Sequence, residues 1–104
     1  MAARPPNRDI DSIKSYRISR KCKLLWRLWD NEFIVFNPFS GDTHLFDYFS
    51  GEVLKALEDS PSTCSGLVSL ISNRFGIDAN DELAGRIQEL LSRLSDLNLI
   101  EPAQ

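Results

Sequence analysis

The apolar residues of this chain follow two different periods. From Leu24 to Asp47 short apolar runs broken by turn residues fit strands whose side chains alternate between two faces, and from Phe49 onward apolar residues recur at spacings of three and four. In "KLLWRLWD", Leu24, Trp26 and Leu28 alternate with Leu25, Arg27 and Trp29. That pattern predicts a strand with one apolar face and one mixed face. Asp30-Asn31 supplies a short turn, and "EFIVFN" (32–37) predicts a second strand, with Phe33 and Val35 on one face and Ile34 and Phe36 on the other. "NPFSGD" then reverses the chain: Asn37 and Pro38 start the turn, and Gly41 takes the positive φ that closes it. "THLFD" (43–47) returns as the third strand. With connections this short the three strands must run antiparallel, as a meander whose last strand keeps a free edge.

Three helical patterns follow. "FSGEVLKALED" (49–59) puts Phe49, Val53, Ala56 and Leu57 on one face, and Pro61 bars its continuation. The second pattern runs from an N-cap at Thr63 through Leu67, Val68, Ile71 and Phe75 to Gly76, a residue suited to the left-handed end of a helix. The third starts within 78–81, with acidic residues at its positive end, and carries Leu83, Ile87, Leu90, Leu91, Leu94 and Leu97 as an apolar stripe. Asn98 is its expected C-cap, and "LIEP" packs as a short apolar tail. Three strands followed by three helices predict an α+β domain, a three-stranded antiparallel meander with a winged-helix-like bundle of three helices.

The 104 residues suffice for one modest core. Charge divides the chain. Through Lys23 there are seven basic residues against Asp9 and Asp11, a balance of +5, whereas the remainder sums to −8. Residues 1–20, with Pro5-Pro6 and scattered charge, read as a flexible basic arm to which Tyr16-Arg17-Ile18 adds an extended piece. The domain proper is expected over 21–104. No apolar run approaches the roughly 20 residues that span a bilayer, and the N-terminus lacks the apolar segment of a secretory signal, so a cytoplasmic chain is expected. Cys22 and Cys64 belong to no CxxC or Cys/His cluster and are expected as reduced thiols.

Little in the sequence asks for catalysis. His44 is the only histidine, and neither a nucleophile nor a set of metal ligands stands near it at a recognisable spacing. "NPFSGD" is not a GxSxG elbow, and no phosphate-cradling glycine loop occurs. Asp81, Glu82 and Glu89 read as a solvated helix face, and of Trp26 and Trp29, on opposite strand faces, one should be core and the other exposed. No enzyme, cofactor or metal is expected. A winged-helix regulator binding nucleic acid through the basic arm is the alternative. It is disfavoured because the third helix sets only Arg86 and Arg93 against Asp81, Glu82, Glu89 and Asp96.

The run "WRLWDNEFIVFNPFSGDTHLFDYFSGEVLKALEDSPST", with the ending "DELAGRIQELLSRLSDLNLIEP", resembles the PqqD-like peptide chaperones over about residues 24–102. It is most similar to the branch associated with a kinase-like partner related to HPr kinase. "NPFSGDTHLFD" carries the most specific part of the likeness. The resemblance implies a non-catalytic recognition element for ribosomally made, modified peptides. Such an element captures the leader segment of a precursor peptide as an added strand and presents it to a separate modifying enzyme, here one related to HPr kinase. By position, Thr43, His44, Leu45 and Phe46 would supply the ladder, and Leu83, Arg86, Ile87 and Leu90 the groove wall, with Arg86 a partner for a leader carboxylate. An edge that receives a leader can also receive a copy of itself, so a homodimer is among the states this pattern allows.

Overall fold

A computed structural model of the chain describes residues 14–20 and 23–103. Its first sheet is the expected meander: β2 (Leu25–Trp29), β3 (Glu32–Asn37) and β4 (Asp42–Asp47) lie in that order and pair antiparallel. The local turn chemistry explains the register. Asp30 and Asn31 take φ values of 52° and 66°, the left-handed pair that lets a two-residue loop follow the twist of its strands. Gly41 sits at φ 81°, and its amide donates to the Asn37 carbonyl at 2.7 Å. Alternation then sorts the side chains. Phe33, Val35 and Phe46 point inward and are buried, while Leu25, Trp29, Phe36 and Leu45 remain on the outer face or its rim and are exposed.

A second small sheet was not expected. It consists of β1 (Ser15–Ile18) between β5 (Ser62–Thr63) and β6 (Ile100–Pro102), all antiparallel. The extended piece at Tyr16-Arg17-Ile18 is therefore a strand of the fold, with Tyr16 and Ile18 packed against the core. Arg17 stands opposite Glu101 in the ladder and binds its carboxylate at 2.8 Å, and that hydrogen bond holds the Glu101 pKa below the ordinary carboxylate value. The tail "LIEP" is the strand that receives β1. Of the basic arm, residues 1–13 lie outside the described residues, as does Cys22.

The helices are α1 (Tyr48–Asp59), α2 (Cys64–Phe75) and α3 (Asp81–Asp96). Each starts on a side-chain cap: Asp47 accepts from the Ser50 amide at 2.8 Å, Thr63 from Gly66 at 3.0 Å and Asn80 from Leu83 at 3.0 Å. Gly76 ends α2 in the left-handed conformation, and Leu97 caps α3, with Asn98 following at φ 62°. The stripe of α3 contributes Leu83, Ile87, Leu90, Leu91 and Leu94 to one core with Val53, Leu54, Leu57, Leu67 and Ile71. Glu52 is buried within this layer and is held by the guanidinium of Arg74, which clasps α1 to α2. Cys64 is a free, buried thiol whose pKa is raised by desolvation. Among the described residues no helix is long and apolar enough to cross a membrane.

One contact sets the distance between helix layer and sheet. α1 crosses β3 at Gly51, where a Cβ would lie 1.9 Å from Cδ2 of Phe33. Gly51→Ala is therefore expected to lose about 2 kcal/mol despite alanine's better helix propensity, because neither the ring nor the helix can retreat without opening the core. Urea denaturation checks this. Asp47 provides a second prediction. The Ser50 hydrogen bond, foremost, holds its pKa below the ordinary 3.8, against an opposing effect of burial, and the charges of Arg86 and Arg93 lower it further. A depressed folded-state pKa means that the cap stabilises above the ordinary value and fades as pH falls through the folded one. Asp47→Ala should cost about 1 kcal/mol at neutral pH, and denaturation across pH should show the gap from the parent closing below pH 3.8.

Candidate functional site

The first sheet ends at β4, which pairs with β3 alone among the described residues. Its outer backbone groups face away from β3 and are available to another extended chain. β4 also passes into α1 without a linking residue, since Asp47 is both its last residue and the helix N-cap. The edge is thus anchored at one end by a helix and at the other by the Asn37–Gly41 turn, in which Asn37 is buried and its side chain accepts from the Phe39 amide at 3.0 Å.

Two open depressions lie between α3 and the ends of β4. The first, about 430 Å³, is bounded by Asp47, Phe49 and Ser50 on one side and by Arg86, Glu89, Leu90 and Arg93 on the other, with Asp96 at its end. The guanidinium carbon of Arg86 sits 4.2 Å from the centre of the Phe49 ring, a cation–π contact that positions the head group at the rim of this depression. The second joins Asn37, Phe39, Ser40 and Asp42 of the turn to Leu97 and Asn98 beyond α3. Phe39 and Leu97 are both exposed there, at 71% and 40%. An extended segment laid along β4 would therefore meet a mixed-charge pocket at one end and two apolar side chains at the other.

The residues picked out from the sequence divide sharply. Thr43 and Leu45 are exposed on the outer face of the sheet; His44 and Phe46 point inward, stacked on each other with ring centres 6.0 Å apart. His44 is half-buried, whereas Phe46 is a core residue. Of the four residues singled out on α3, only Arg86 is exposed. Leu83, Ile87 and Leu90 are buried, Ile87 completely, so they mainly support the helix from below, and of the three only Leu90 also borders the depression beside Asp47 and Phe49. The periodicity that singled them out was that of the core. Reading from sequence missed Phe39, Phe49, Arg93 and Leu97. A signal was present: residues 86, 90, 93 and 97 are spaced by four and three, a helical stripe turned from the core stripe toward β4. Among the described residues no group of three metal-ligating side chains gathers.

This arrangement of meander and three helices recurs in known proteins. Two solved structures share the fold. One is TbiB1 in complex with the TbiA(beta) leader peptide, with a TM-score of 0.65 and 18% identity, covering 82% of this chain and 94% of that one. The other is the solution NMR structure of the PqqD truncation of Methylobacterium extorquens PqqCD, described as a functional, stand-alone recognition element for ribosomally synthesized and post-translationally modified peptides. It gives a TM-score of 0.67 and 20% identity over 86% of this chain and 92% of that one. No curated protein matches the chain. The family of coenzyme PQQ synthesis protein D matches residues 32–100, from the start of β3 to the start of β6, and the chain belongs to this PqqD family.

Proposed function

We propose that this protein is a non-catalytic chaperone that binds the leader segment of a precursor peptide by strand addition to β4 and presents it to a separate modifying enzyme. The observation that carries this reading is the open β4 edge lying beside the α3 depressions, one at each end of the strand. Main-chain hydrogen bonds to Thr43–Phe46 supply affinity that is indifferent to sequence, and the depressions supply choice. Arg86 and Arg93, alternating along α3 with Glu89 and Asp96, favour a leader whose charges complement that order. Membership of the PqqD family and the leader peptide held by TbiB1 support the same reading. The stretch "NPFSGDTHLFD" supports a narrower placement, in the branch that works with a partner related to HPr kinase, and the two isolated cysteines fit a cytoplasmic chain.

The test is an NMR titration of labelled protein with leader segments from short reading frames encoded beside its gene, and with duplex DNA as control. Amide shifts confined to 43–47 and 86–97 with a peptide, and absent with DNA, are the expected result. A peptide that leaves these amides unmoved while DNA shifts the basic residues up to Lys23 would reverse the conclusion in favour of a nucleic-acid-binding regulator. Arg86→Ala is expected to weaken the leader about tenfold, in line with about 1.5 kcal/mol for a charge-assisted hydrogen bond, with no loss of fold. Isothermal titration calorimetry with circular dichroism checks both halves of that statement.

A further inference from the structure

The sheet has a second edge, and it is the more conspicuous one. β2 reads Leu-Trp-Arg-Leu-Trp, pairs with β3 alone among the described residues, and leaves Leu25 54%, Leu28 55% and Trp29 66% exposed. Leu28 stands opposite the buried Phe33, on the helix side of the sheet, and its exposure means that the helices leave this end of β2 uncovered, although α1 reaches Trp26 through Glu58 and Lys55. The outer face of the strand is open at Leu25, Arg27 and Trp29, and the helix face is open at Leu28. Edge strands are ordinarily protected by charge, proline, a bulge or a covering segment, and β2 has only Arg27 for this purpose.

We infer that β2 pairs antiparallel with β2 of a second copy of this chain, about a twofold axis at Leu28, to make a continuous six-stranded sheet. Charge complementarity selects the occupant and the register. With the axis at Leu28, the two Leu28 side chains cover each other on the helix side, and on the outer side each Arg27 stands opposite Trp29 of the other copy. Trp29 is itself opposite Glu32 in the ladder, so the guanidinium lies over an indole and reaches toward a carboxylate. An axis at Arg27 would instead set two guanidinium groups face to face. The pairing leaves both β4 edges free, at the two ends of the sheet and about 24 Å apart at 4.8 Å per strand. Dimer and peptide therefore use different edges, and the inference stands independently of the peptide-binding reading.

Sedimentation of the full chain tests it. Because the paired surface is small, the mass should rise from 11.8 kDa toward twice that value only as concentration increases, over about 10 µM to 1 mM. Leu28→Lys, at an exposed position, should remain monomeric across the range with an unchanged circular dichroism spectrum. Arg27→Glu, which keeps every apolar side chain of β2, should weaken association at least tenfold. Leu45→Lys, on the opposite edge, should dimerise like the parent. A parent chain that stays monomeric throughout would overturn the inference. So would a dimer abolished by Leu45→Lys and untouched by Leu28→Lys.

Discussion

The fold hangs on the meeting of Phe33 and Gly51. Because Gly51 has no side chain, α1 can lie directly on the ring of the central strand. The ring then becomes a hub, edge-on to Trp26 at 5.6 Å and stacked with Tyr48 at 5.5 Å. Trp26 in turn donates from its indole nitrogen to Glu58 at the far end of α1. Helix and sheet are thereby pinned along the full length of α1. α2 and α3 pack on the far side of that unit through Leu54, Leu57, Leu67 and Leu94, so the position of the α3 depressions relative to β4 is inherited from the same contact.

Most of the first sheet could be read from the chain because its determinants are local. Asp30-Asn31 and Gly41 announce their turns through the backbone angles they alone adopt easily, and Thr63 and Gly76 bracket α2 by the chemistry of caps. The second sheet left no such mark. Tyr16 pairs with Pro102 and with Ser62, partners that no short-range period can reveal, and strands of two to four residues carry too few positions to show alternation. Charge and proline in the leading residues suggested an arm, while Tyr16 and Ile18, only two apolar residues, proved enough to seat β1.

The candidate site divides along the same line. Its edge followed from strand order alone. Its wall did so only in part, because leucine and isoleucine at spacings of three and four look alike whether they face a groove or a core; Leu83 and Ile87 belong to the core, and Leu90 is buried while also bordering a depression. What borders the depressions is a neighbouring stripe of mixed chemistry, in which Arg86 gains definition only from Phe49, a residue on another helix. Such a pair is a product of tertiary packing, and composition or spacing along one helix has no means of expressing it.

The direct passage of β4 into α1 at Asp47 bears on how this protein can vary. A loop between two elements absorbs an added or deleted residue, but here there is none. One residue inserted at this junction would either turn α1 by about 100° on its axis, removing Gly51 from Phe33, or slip β4 by one residue and reverse which side faces inward, removing Phe46 from the core. Length changes among relatives should therefore collect in the 38–41 reversal and in the 76–80 connection, leaving the strand-to-helix junction as the fixed ruler against which the β4 edge is measured.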